Sequence, residues 1–151
     1  MAGWKVWGEL ARRPHLDLVW AILRGHRGRI EDTADGRRQI TIEARLNQRD
    51  RRAVLAHELV HDERVLFAPS TPVAVIRKEE AWVMNETARR LVPLDELDAL
   101  VRQAVLDDQS VTWREVAEWF DVPRDVAERA LDLLRNRVRR RHPSTSPSGR
   151  D

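Results

Sequence analysis

A chain of 151 residues, 42% of them apolar and 34% charged, suits one compact domain or one domain with a small appendage. Its 27 basic and 25 acidic residues leave a net charge of only +2, so the overall charge gives no reason to expect nucleic-acid binding. The absence of cysteine excludes disulfides, Cys-based zinc fingers and a thiol nucleophile. Any zinc must therefore be held by His and carboxylates, and the absence of tyrosine removes one common catalytic group.

The opening segment, Met1 to Trp7, lacks the charged-then-apolar pattern of a secretory signal. No apolar run approaches the ~20 residues needed to span a bilayer. A cytoplasmic protein is the expectation. Residues 3–12 read as a short helix stopped at Pro14. In residues 16–23 Leu16, Leu18, Trp20 and Ile22 alternate against Asp17, Val19 and Ala21, which predicts a mostly buried strand. Gly25 and Gly28 break the chain, and residues 29–32 form a second short strand. Asp35-Gly36 carries the signal of a tight hairpin turn. Residues 38–46 return as a half-buried antiparallel strand, with Ile40, Ile42, Ala44 and Leu46 on one side and Thr41, Glu43 and Arg45 on the other.

The pattern then becomes helical. Asn47 is placed to cap a helix over about 49–67, with Asp50 supporting its first turn. Pro69 and Pro72 mark a loop. Further helices are predicted at roughly 77–92, 94–106, 112–120 and 123–139, with a linker at 107–110 and a Pro/Ser-rich tail, 142–151, too polar to fold. The expected organisation is a core over 1–106, a helical segment over 110–141 and the tail.

The first long helix carries His57-Glu58-Leu59-Val60-His61, an H-E-x-x-H motif. Residues four apart share a helix face, so both imidazoles can reach one ion. Glu58 sits ~100° round the helix, displaced from the ligand set but close enough to take a proton from a water that the metal activates. The apolar neighbours Ala53, Val54, Leu55, Ala56, Leu59 and Val60 place this helix in the core, where imidazoles need partners. A catalytic zinc takes three protein ligands, so one must come from elsewhere. The next helix offers Glu79 and Glu80. Glu80 shares a face with Met84, Thr87, Ala88 and Leu91, whereas Glu79 shares one with Val83, Glu86 and Arg90. A carboxylate on the apolar face needs compensation that a metal supplies, which favours Glu80. Glu79 stays open as the alternative.

The stretch from Ile40 to Pro93 resembles the ImmA/IrrE family of metallopeptidases. The likeness is carried by the strand QITIEARL, the arginine-rich helix start NQRDRR, the segment LAHELVH, and a Glu about twenty residues on in a helix ending ARRLVP. Matched to the family's Glu-x-x-Ala-Asn segment, Glu80 falls on the third ligand and Met84 stands in place of the Asn. The resemblance implies an α+β, zincin-like fold with a small antiparallel sheet packed on the HExxH helix. It also implies single-zinc peptidase chemistry, with His57, His61 and Glu80 as ligands and Glu58 as catalytic base. The implied substrate is a helix-turn-helix repressor of a phage, mobile-element or stress system. His15, His26, Asn85 or an arginine is left to stabilise the oxyanion.

Residues 110–135 read as a helix-turn-helix, with apolar stripes at Trp113, Val116, Ala117 and Phe120, and at Val126, Ala130, Leu131 and Leu134. Asp125 and Glu128 at the start of the second helix argue against DNA contact and for structural or substrate-docking use. The competing expectation is a non-catalytic regulator that binds a repressor or DNA through these helices. The six tryptophans are read as core and anchoring residues, not as a ligand cage.

Overall fold

The computed structural model describes residues 3–143. Of the proposed tail, residues 144–151 lie outside the described residues. The elements run α1 (Val6–Ala11), β1 (Leu16–Ala21), β2 (Gly28–Asp32), β3 (Arg38–Glu43), α2 (Gln48–Asp62), α3 (Val73–Leu91), α4 (Leu94–Leu106), α5 (Trp113–Phe120) and α6 (Arg124–Arg141). The result is α+β, with six helices and a three-stranded sheet among the described residues.

The sheet is mixed rather than antiparallel. Its order is β1-β3-β2, with β2 antiparallel and β1 parallel to the central β3. The hairpin forms as the Asp35-Gly36 signal predicts: Thr33 N–H donates to Arg37 O at 2.8 Å, and Gly36 takes a positive φ of 76°. Alternation fixes which face of a strand is covered, but not which neighbour it pairs with or in which direction. The chain crosses from β1 to the far edge before returning through the middle, and that leaves β1 parallel. The burial expectations shift with this order. Strand β1 is an edge, and Val19, Trp20 and Ile22 are exposed rather than mostly buried. The central β3 buries Ile40 and Ile42 on one side and also Thr41 and Glu43 on the other.

Helix α2 begins as its cap predicts, with Asn47 Oδ1 accepting from Asp50 N–H at 2.8 Å. It ends at Asp62, five residues before the predicted end at 67. Two guanidinium groups explain the stop. Arg13 donates to Leu59 O and Arg38 to Asp62 O, each at 2.7 Å, so carbonyls of the last turn are satisfied without further helix. The Asp62 carboxylate holds the same two arginines and His15. Leu66 and Phe67 consequently leave the helix. Pro72 stands at the N-cap of α3, which starts at Val73 rather than near 77.

One buried cluster runs from Val6 and Leu16 through Ile40, Leu55 and Leu59 to Leu97, Phe120, Ala130 and Leu134. It therefore takes in both the sheet-and-α2 region and helices α5 and α6. Polar ties reinforce the junction: Arg52 donates to Asp121 O at 2.8 Å, and Arg137 pairs with Asp95 at 2.7 Å. Helix α5 carries a full capping box between Thr112 and Glu115 and ends on Asp121 in the left-handed conformation. Leu55, fully buried where α2 meets this cluster, tests its continuity. Leu55→Ala should cost about 2–5 kcal/mol. The check is urea unfolding, with a lowered midpoint and an unchanged slope in a single transition.

Candidate metal centre

Helix α2 turns Leu55, Ala56, Leu59 and Val60 into the core. The positions between them, His57 and His61, face α3 across a half-covered groove. One turn of helix brings the two Nε2 atoms to 3.1 Å. Helix α3 adds Glu80, whose Oε1 lies 2.7 Å from His57 Nε2 and whose Oε2 lies 3.0 Å from His61 Nε2. The three ligand atoms fall within 4.8 Å of one another.

The donor set suits a divalent transition ion. Two imidazole nitrogens and a carboxylate oxygen converge, as in open catalytic zinc sites. Their separations of 2.7–3.1 Å are near the edge of a tetrahedron with ~2.0–2.1 Å bonds, about 3.3 Å. The residues therefore fit a single metal ion, and the donor set alone does not distinguish zinc from iron or manganese.

Glu79, the alternative third ligand, is committed elsewhere. It forms a two-pronged ion pair with Arg64, which in turn lies 3.8 Å over the Trp82 ring. Glu80 lies on the α3 face that buries Thr87, Ala88 and Leu91, yet it is not itself buried. The Glu80 side chain is 43% exposed and that of Glu79 only 16%, because Glu80 looks into an open cleft while Arg64 covers Glu79.

Electrostatics divides the carboxylates by role. The hydrogen bond to His57, then that to His61, holds Glu80 far below the usual carboxylate range. Burial works against the charged form of His61, yet its bond to Glu80 and the nearby Glu58 charge leave it raised overall. Glu58 behaves in the opposite way. It is only 5% exposed, and desolvation pushes its pKa up against the opposing pull of His57 and His61. A carboxyl raised in this way beside a metal set suits a group that must gain and release a proton.

Two cavities flank the trio. One, of about 260 Å³, runs from His57, Glu58 and Glu80 to the start of α6. The other, of about 410 Å³, runs toward His26, Phe67 and Ile76. Both include Gly28, His57, Glu58 and Glu80, so they are two arms of one cleft crossing the ligands.

No protein-family model, curated protein or solved structure matches the chain.

The remaining candidates disperse. His15 is tied to Asp62 at 2.9 Å, behind the C-terminus of α2. Asn85 accepts from Arg129 at 2.9 Å. His26 lines the larger arm, and Arg27 and Arg129 line the smaller. Met84, standing where the resembled family has Asn, lines the smaller arm as well.

Gly28 was legible only as a chain break, although a glycine inside a strand also marks a close approach. A Cβ there would lie 2.5 Å from Val54 Cγ1 and 3.0 Å from Glu58 Oε1. The backbone of β2 thus packs directly against Val54 and the Glu58 carboxylate, and any larger residue there would have to push these side chains aside.

Two outcomes follow from this geometry. Glu80→Ala should abolish stoichiometric zinc binding, measured by metal analysis after dialysis, while Glu79→Ala should retain it. Gly28→Ala should lose about 1–3 kcal/mol of stability by overpacking in denaturant unfolding. Its metal content should be unchanged, because the ligands themselves are not displaced.

Proposed function

We propose that this chain is a zinc-dependent endopeptidase of the ImmA/IrrE type, acting on a helix-turn-helix repressor. The observation that carries the reading is Glu58: a buried carboxyl, its pKa raised by desolvation, on the same helix as the two histidines that could hold a metal and facing the same cleft. His57, His61 and Glu80 would hold the ion. When bound, a zinc ion supplies a Lewis acid that polarises a carbonyl and lowers the pKa of water.

The chain's own groups do the rest. Glu58 takes the proton of the attacking water and hands it to the departing amine nitrogen. Desolvation at Glu58 favours that shuttle, since its neutral and charged forms are brought closer in energy. Strand β2 forms one edge of the sheet and runs beside the cleft from Gly28. An extended polypeptide laid along that edge can exchange main-chain hydrogen bonds with it, which favours a peptide over a small-molecule substrate. The choice of a repressor as substrate rests on the sequence resemblance.

The packing of α6 disfavours a DNA-reading role. Its Ala127, Ala130, Leu131 and Leu134 are buried, and Arg129 and Arg137 turn inward to Asn85 and Asp95. Its exposed start carries Asp125 and Glu128. No described helix is long and apolar enough to cross a membrane.

Glu58→Gln is the decisive variant. It should keep stoichiometric zinc and the native circular dichroism spectrum. Its cleavage of a helix-turn-helix repressor substrate should fall about 10²–10⁴-fold, as expected for loss of a general base. Equal cleavage by the variant, or a parent protein that takes up no zinc, would refute the reading.

A further inference from the structure

The smaller arm of the cleft has walls from distant parts of the chain. Ala53 and Val54 come from α2, Met84 and Thr87 from α3, and Pro123 and Val126 from the start of α6. It opens at one end on His57, Glu58 and Glu80. The lining is apolar in effect as well as in name. The Thr87 hydroxyl donates to Val83 O at 2.7 Å, so it is already satisfied within its own helix. Arg129 is held by Asn85 Oδ1 at 2.9 Å and by the Met84 sulfur at 3.8 Å. With Asp125 it places one charge of each sign at the α6 end, and Arg27, the other cation of the lining, is paired with Asp50 at 3.1 Å, so a bound charged side chain finds no unpaired counter-charge among them.

We propose that this arm is a side-chain specificity pocket, with α6 as its outer wall, that takes a medium or large apolar side chain flanking the bond to be cut. The inference rests on the peptidase reading and deepens it. Size supports the assignment. The cavity holds about 260 Å³, whereas a dry cavity of about 150 Å³ already accommodates benzene. A Leu, Met or Phe side chain fits with room for its attachment to the main chain. Gly, Ser or Asp would leave apolar wall exposed to water. Val126 is the selectivity residue. It is half-buried on the first turn of α6, where a larger side chain extends into the space without displacing a metal ligand. Val54 stands on the opposite wall, against Gly28.

The test compares the full zinc-loaded chain with Val126→Trp and Val54→Ala on an equimolar mixture of unstructured peptides. Cleavage sites are read by mass spectrometry, and folding of each variant by circular dichroism. The parent should favour Leu, Met or Phe beside the cut by at least about tenfold over Gly, Ser and Asp. Val126→Trp should remove that preference in favour of Ala and Gly. Val54→Ala should move it the other way, toward Phe and Trp, and this second variant decides the matter if Val126→Trp does not fold. Cleavage with the same preference in parent and folded variants would overturn the pocket while leaving the peptidase reading intact. A parent that cuts neither the peptides nor the repressor substrate would overturn the peptidase reading, and the pocket would then be judged by NMR titration with N-acetyl-leucinamide. Binding that exceeds that of N-acetyl-glycinamide and is lost in the variant that narrows the arm would uphold it. Equal or absent binding would overturn it.

Discussion

Everything at the centre depends on one crossing, where the Glu80 carboxylate of α3 sits between two imidazoles one turn apart on α2. Each partner is useless alone. Two half-buried histidines without a counter-charge would carry unpaired nitrogens, and a carboxylate over an apolar helix face would be poorly compensated. Brought together, they form a converging donor set, and the remaining architecture holds the two helices at that crossing. Arg13, Arg38 and Asp62 pin the end of α2. Arg90 bridges Glu63 to α3, with oxygens 2.6 and 2.8 Å from its guanidinium. These ties are charge-assisted and multidentate, the kind of polar contact that fixes geometry rather than merely decorating a surface.

The second constraint is that the middle of α2, residues 53–60, is apolar but for His57 and Glu58. Leu55, Ala56, Leu59 and Val60 are fully buried, and Glu58 among them is nearly so. A charged carboxylate in that position is disfavoured by solvation, and nothing in the fold neutralises it by a direct salt bridge among the described residues. The protein thus accepts an energetic cost at Glu58. Such a cost is commonly retained where a group has to change protonation state.

Much of this was legible in the sequence because it is periodic or local. The alternation of Ile40 and Ile42, the Asp35-Gly36 turn, the Asn47 cap and the four-residue spacing of His57 and His61 all report short-range geometry. So does the choice of Glu80, since its helix face is defined by Thr87, Ala88 and Leu91. What the sequence misses is set by partners far away in the chain. The end of α2 depends on Arg13 and Arg38, which no local pattern around residue 62 announces. The direction of β1 depends on the order in which three strands assemble. The role of Gly28 depends on Val54 and Glu58, and the wall supplied by Val126 depends on α6 folding back over α3. Glu79 and Glu80 look alike until Arg64 claims one of them.

Strand β2 carries a conflict of its own. A sheet edge bordering an open cleft is inviting to another copy of the same protein, and unguarded edges are where folded proteins begin to aggregate. The strand is short, and beyond Gly28 it carries Arg29, Glu31 and Asp32 around a single apolar Ile30. Arg29 and Glu31 pair with each other at 3.4 Å, and Asp32 pairs with Arg38 at 2.9 Å. A second β2 arriving edge to edge would have to bring its own charges into register and strip water from all of them. The same charges that make this edge look unremarkable in the sequence thus work against edge-to-edge pairing of two copies.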